Sequence, residues 1–215
     1  MKKVLAIVLI VCLAFSVAFA AKKSALKVGA QLGYGGYSLK FIDKEDSKNY
    51  IKLTDGGFYF AGTVEFAFAE NLSAKAEVGM ILMGKAKGSI NAGGISYSWT
   101  ADENMPAQFA MYAGAQYCIE VSKEFCLDLG AGFDVMMGKM DKDTEDTFNA
   151  AMGLGLEVAG VYHVNDQLAV TGGGKFAWHF INTNKDLDDF IKDIGDSTKT
   201  SNIGYQIYAG IKYAL

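Results

Sequence analysis

The chain has 215 residues, 51% of them apolar, with 25 glycines and a single proline. That is enough apolar material for a substantial folded domain and far from the composition of a disordered chain. All 20 basic residues are lysine and 24 acids oppose them, for a net charge of −4; without a basic excess the chain has no electrostatic footprint for nucleic acid, and none is expected as a partner.

Met1-Lys2-Lys3 precedes an apolar stretch from Val4 to Phe15, followed by Ser16-Val17 and the small-residue pattern Ala18-Phe19-Ala20. A basic start, an apolar middle and an A-x-A end make residues 1–20 a signal peptide with cleavage expected after Ala20. Cys12 does not make it a lipoprotein signal, because Val11 stands where a small residue is required. Cleavage removes two lysines and no acid, taking the net charge to −6. No later run is long enough for a membrane-spanning helix, so the exported chain is either soluble or a membrane β-barrel.

From Leu26 onward the periodicity is two, the strand period. Leu26, Val28, Ala30, Leu32 and Tyr34 begin it, and Phe58, Phe60, Gly62, Val64, Phe66 and Phe68 continue it. Alternating runs return over residues 72–82, 109–119, 125–137, 148–158, 168–180 and 203–215, giving about eight strands long enough to cross a bilayer at a tilt. Short links fall at Glu70-Asn71, 121–124 and 164–167, whereas long polar ones occupy roughly 42–55, 84–106, 138–147 and 181–200. Three short turns and four long loops fit an up-and-down barrel with both ends on one side.

Period two alone leaves open which face is wet. The face opposite the apolar one carries Tyr112, Gly114, Gln116, Cys118, Cys126, Asp128, Gly130, Gly132 and Asp134, mostly small residues with isolated charges. A water-facing exterior would be dense in Lys and Glu, so this face is read as a narrow lumen and the apolar face as the lipid side. Aromatic residues near strand ends, among them Tyr34, Phe58, Phe68, Tyr117, Phe125, Phe148, Tyr162, Trp178, Phe180, Tyr205 and Tyr213, supply two interfacial girdles. A soluble lipocalin-like barrel is the rival and predicts recovery from the periplasm.

The ending Tyr208-Ala209-Gly210-Ile211-Lys212-Tyr213-Ala214-Leu215 is similar to the assembly signal of outer membrane barrels, a polar residue, a glycine and two aromatic or apolar closing positions, here ending in Leu215 where Phe is commonest. With the strand pattern over residues 25–215, the chain resembles the small eight-stranded outer membrane barrels of the OmpA and OmpX type. The resemblance implies an all-β, eight-stranded antiparallel up-and-down transmembrane barrel in the outer membrane, with outer membrane lipids and the barrel assembly machinery as partners. Long loops are then outside and short turns in the periplasm, with no periplasmic appendage expected.

Pairing Phe68 with Leu72 puts Glu65 opposite Lys75 with Glu77 on the same inward face; Lys27, Asp128, Asp134, Glu157, Lys175 and Lys212 share that parity. They are read as a structural lumen network that closes the interior, the alternative being an ion path. Cys118 and Cys126 lie symmetrically about Ser122 and are candidates for a cross-hairpin disulfide, the alternative being two free thiols. His179 has inward parity near Asn182 and Thr183 but no nucleophile motif, so it is read as a polar lumen residue and not as a catalytic one. The acid run Asp141–Asp146 lacks the glycine of a calcium loop. Neither metal nor cofactor is expected.

Leu187, Phe190, Ile191 and Ile194, at helical spacing before Gly195, predict a short amphipathic helix in the last loop. Ile90, Ala92-Gly93-Gly94, Ile95, Tyr97 and Trp99 predict a protruding hairpin suited to edge pairing with another protein. Ten strands replace eight if that hairpin joins the wall. The expected function is non-enzymatic, with exposed loops contacting an extracellular ligand or host surface or supporting the envelope. A narrow pore and a lipid-modifying enzyme using His179 are the alternatives.

Overall fold

The structure is a computed structural model that describes residues 26–139, 148–182 and 198–215. It contains ten strands: β1 (Leu26–Asp43), β2 (Tyr50–Ala69), β3 (Leu72–Met83), β4 (Lys85–Ala92), β5 (Ile95–Asn104), β6 (Gln108–Glu120), β7 (Phe125–Lys139), β8 (Phe148–His163), β9 (Leu168–Asn182) and β10 (Thr198–Ala214). No helix occurs among the described residues. The signal segment, the Asp141–Asp146 acid run and the amphipathic stretch Leu187–Ile194 lie outside them.

Eight strands form the wall. In order around it they are β1, β10, β9, β8, β7, β6, β3 and β2, and β2 pairs back onto β1, so no wall strand is left with an open edge. Every pairing is antiparallel, and the closing seam runs from Lys27 opposite Ala214 to Asp43 opposite Thr198. Because side chains alternate faces, a one-residue slip at any seam would turn the whole apolar set inward, so the pattern of each strand holds its register.

The short turns gather at one end and are fixed by side chains. Asn165 Oδ1 accepts the backbone N–H groups of Gln167 (2.9 Å) and Leu168 (2.8 Å). Ser122 Oγ accepts from Glu124 N (3.3 Å) and Phe125 N (3.1 Å). Such local bonds satisfy turn amides that the ladder leaves over.

At the other end two of the long loops are more ordered than their polarity suggests. The loop expected over 42–55 shrinks to residues 44–49, because Leu39 pairs with Leu53 and Phe41 with Ile51, carrying β1 and β2 further out with Leu39 and Phe41 buried. The loop expected over 84–106 is the β4–β5 hairpin. The wall therefore has eight strands, and the hairpin extends the lanes of β3 and β6 beyond it. Gly57 of β2 pairs with Met83 of β3, while Thr54 already pairs with Lys87 of β4. Gly84 N donates to Gly56 O (3.1 Å) and Met105 N to Gly84 O (2.8 Å), stitching the break.

The hairpin turns on Gly93 and Gly94, both at positive φ (58° and 83°). Two consecutive left-handed residues make a type I′ turn, whose twist matches that of the flanking strands. A side chain there costs about 1–2 kcal/mol per residue. Gly94→Val is expected to loosen the hairpin alone: amide exchange should accelerate at Gly88, Ile90 and Tyr97 and stay unchanged in β7 and β8.

The apolar faces point out. Phe133 is 66% exposed, Leu156 62% and Ile207 70%, and Phe60 and Leu129 share that face. The inward face holds the buried Tyr59, Lys75, Glu77, Tyr112, Asp134, Glu157, Lys175 and Tyr208. Phe58 and Phe68, both exposed, lie ten residues apart on β2. At ~3.3 Å per residue and a tilt near 45° the rings stand about 23 Å apart in height, close to the ~25 Å apolar band of outer membrane barrels. Tyr34 stacks on Tyr205 (centroids 6.4 Å) and Trp178 meets Phe180 edge-on (6.1 Å) at the long-loop end. Tyr117, Phe125, Tyr162 and Tyr213 are exposed at the short-turn end.

Candidate functional site

Among the described residues, three places carry polar chemistry: the middle of the lumen, the mouth beside the short turns, and the hairpin at the far end.

In the middle, side chains from seven wall strands meet. Lys75 of β3 contacts Glu157 of β8 (2.5 Å) and Glu77 of its own strand (3.1 Å). Lys175 of β9 contacts Glu77 (2.5 Å) and lies 3.5 Å from Asp134 of β7. Asp134 Oδ1 is 2.9 Å from His179 Nε2, which donates to it. Gln116 Nε2 of β6 donates to Glu157 (3.2 Å). The Tyr59 hydroxyl donates to Glu77 and the Tyr208 hydroxyl to Glu157. The Tyr112 ring lies under both ammonium groups, its centroid 4.7 Å from Lys175 Nζ and 5.9 Å from Lys75 Nζ.

Charges buried this deeply persist only when paired and hydrogen-bonded, and here each carboxylate has a cation or a donor on it. The glycines of the inward face leave the volume that the large side chains fill: a Cβ on Gly155 would sit 3.2 Å from the Tyr112 ring. The recess beside the cluster, lined by Asp134, Met136, Lys175 and Gln206, has no room for a water molecule. The cluster is a plug of paired side chains in the sense that they meet across the interior at this level.

The register puts Glu65 opposite Lys75, but the ion pairs run elsewhere. Lys75 reaches across the lumen to Glu157, and Glu65 instead meets Lys212 of β10 (2.7 Å), which also holds Asp128 of β7 (3.0 Å). Glu65, Asp128 and Lys212 thus form a second cluster nearer the short turns, and Lys27 lines the recess beside it. Tyr59, Tyr112 and Tyr208 join the network beside the charged residues, and their inward parity is the sequence signal that marks them.

At the short-turn mouth the ladder places Cys118 opposite Asp128 and Glu120 opposite Cys126. The direct opposition of Cys118 and Cys126 expected from symmetry about Ser122 is therefore corrected. Val121 N and Ser122 N both donate to Phe125 O (3.0 Å each), which shifts the turn by one residue and leaves the cysteines diagonal. Both thiols are free.

At the far end, β5 pairs only with β4 among the described strands. Ile95 and Tyr97 are exposed, and Tyr97 stacks on Trp99 with centroids 6.2 Å apart. The Trp99 ring covers Gly88, its cross-strand partner, where a Cβ would collide with it.

A sequence model for the outer membrane protein β-barrel domain matches residues 7–173. The chain belongs to the outer membrane β-barrel family. The outer membrane is accordingly its location, and the outward apolar face is its lipid surface. Among solved structures, this barrel is similar to Neisserial surface protein A at 14% identity, covering 88% of this chain and 97% of that one with a TM-score of 0.55. It is also similar to the outer membrane protein OprG from Pseudomonas aeruginosa at 12% identity, with coverage of 89% and 97% and a TM-score of 0.47. A third is the outer membrane protein AlkL, at 10% identity, 91% and 92% coverage and a TM-score of 0.48. At these identities the likeness is one of fold. No curated protein matches the sequence.

Of the residues expected to form an assembly signal, Tyr208, Gly210 and Tyr213 lie on β10 at the seam and Leu215 directly follows it. Gly210 pairs with Gln31 and Tyr208 with Gly33, while Tyr213 is exposed beside the short turns. Tyr208 is inward and serves the plug as well. Leu215 N donates to Leu26 O (2.9 Å).

Proposed function

We propose that this chain is a non-enzymatic surface protein: a sealed barrel that anchors the β4–β5 hairpin outside the cell, where the hairpin contacts an external macromolecule. The observation that carries this reading is the hairpin itself, a two-stranded extension with an apolar and aromatic tip on a strand that has one partner among the described strands. An edge strand offers backbone donors and acceptors to an extended segment, and Ile95, Tyr97 and Trp99 offer contact area. The plug supports the anchoring role over the narrow pore. It also absorbs His179, whose Nε2 is on Asp134 and whose Nδ1 has no partner among the described residues, so no hydroxyl or thiol nucleophile is attached to the ring.

The test compares whole cells carrying the full barrel with cells in which residues 86–103 are replaced by a short turn. Heat-modifiable gel mobility checks that both barrels are folded. Adhesion to plates coated with extracellular-matrix protein is expected to be lost in the deletion, with detergent resistance of the envelope unchanged. Equal adhesion by both strains contradicts the reading. Planar-bilayer recordings of the unaltered barrel are expected to lack reproducible conductance steps; regular steps favour the pore.

A further inference from the structure

The short-turn mouth holds a donor set that neither the plug nor the hairpin uses. Cys118 at the end of β6 and Cys126 and Asp128 at the start of β7 bring two sulfurs and a carboxylate oxygen within 4.8 Å of one another. Cys126 and Asp128 are buried, and Cys126 Sγ lies 3.6 Å from Asp128 Oδ1. The three open onto a recess of about 180 Å³ whose wall also includes His163.

The geometry distinguishes chelation from a disulfide. Diagonal neighbours on adjacent strands have Cα atoms ~7–8 Å apart, beyond the range a disulfide spans without backbone movement. A tetrahedral ion with metal–sulfur bonds of ~2.3 Å instead holds its sulfurs roughly 3.8 Å apart, and side chains on a diagonal can meet that spacing. The carboxylate is free to take part. Asp128 gives Oδ2 to Lys212 at 3.0 Å and turns Oδ1 toward the thiols, and Lys212 keeps Glu65 at 2.7 Å if Asp128 rotates. Thiolate donors select zinc-type ions over magnesium and calcium.

We propose that the short-turn mouth of the barrel binds one thiophilic divalent cation of the zinc type through Cys118, Cys126 and Asp128, with His163 on the same wall for the fourth position. Each thiol gives up its proton to solvent as its sulfur binds, so uptake releases two protons and leaves the protein's oxidation state unchanged. Lys27 and Lys212 are the cations at this recess, and Glu65, Glu70 and Glu120 its remaining acids among the described residues.

The test uses the full-length barrel refolded in detergent under reducing conditions and titrated with Cd²⁺ as the probe. A cadmium–thiolate charge-transfer band is expected to saturate at one equivalent and to be reversed by Zn²⁺. Cys118→Ser and Cys126→Ser are each expected to weaken Cd²⁺ binding at least tenfold, and Asp128→Asn and His163→Gln less. Heat-modifiable mobility confirms that each variant is folded, and the near-isosteric serine exchanges leave the strand register in place. Absence of the band in folded, reduced protein overturns the proposal, as does a band that survives both serine exchanges. So does an intramolecular Cys118–Cys126 disulfide in most of the protein extracted from membranes with thiols trapped.

Discussion

Replacing Glu157 with alanine is expected to destabilise the folded barrel by about 3–5 kcal/mol, the cost of breaking a buried ion pair by removing one partner. Glu157 accepts from Lys75 at 2.5 Å, from Gln116 at 3.2 Å and from the Tyr208 hydroxyl. Its loss leaves two donors without their acceptor and a fully buried ammonium with only Glu77. The measurement is urea-driven unfolding in lipid vesicles, read by the fraction of protein that keeps its compact gel mobility. Two companions separate charge from hydrogen bonding. Glu157→Gln keeps an acceptor oxygen for Tyr208 and is expected to cost less than the alanine exchange. The double exchange Lys75→Met with Glu157→Leu removes both charges and is expected to recover the share of the loss that comes from the unpaired ammonium, while Gln116 and the Tyr208 hydroxyl still lack their acceptor. An alanine variant within about 1 kcal/mol of the unaltered protein would mean that the plug is hydrated and contributes little.

The second large effect is on the outer surface. Phe133 lies mid-span on β7 and Leu156 mid-span on β8, both pointing out. An arginine on the lipid face near the bilayer midplane costs about 2–4 kcal/mol. Phe133→Arg and Leu156→Arg are therefore expected to lower the stability of the barrel in vesicles by that amount each. Ile95→Arg in the hairpin is the control. Ile95 is 78% exposed, more than Phe133, yet it faces water, and a surface exchange there is expected to stay within about 0.5 kcal/mol. Equal effects at the three positions would show that exposure in the barrel means exposure to water.

Much of the fold is legible in the sequence because both of its constraints are periodic. Strict alternation assigns each residue of the wall to lipid or lumen, and the segregation of short and long links orders the strands around the barrel. The same parity places Glu65 opposite Lys75 and puts Glu77, Asp134, Glu157 and Lys175 inside. What periodicity does not carry is azimuth across the lumen. Lys75 finds Glu157 and Lys175 finds Glu77 through contacts 82 and 98 residues apart in the chain, set by barrel diameter and strand shear and by no local pattern.

The cysteines illustrate a different limit. Symmetry about Ser122 assumes a turn centred there, but two amides donating to Phe125 O move its centre by one residue, and every cross-strand pair in the hairpin moves with it. The β4–β5 hairpin shows a third. Its Gly93-Gly94 turn and alternating Ile90, Ile95, Tyr97 and Trp99 were readable, and whether it joins the wall was not. That depends on β2 passing from β3 to β4 as its partner between Gly57 and Thr54.

The orientation of the two faces is tested most directly by fluorescence quenching, because the chain has only two tryptophans. With Trp99→Phe in place, Trp178 alone reports, from an exposed position at the long-loop girdle. In vesicles of lipids brominated along the acyl chain its emission is expected to be strongly quenched and nearly insensitive to aqueous iodide. Emission quenched by iodide and untouched by brominated lipid would place the apolar face in water and contradict a barrel whose greasy side meets the bilayer.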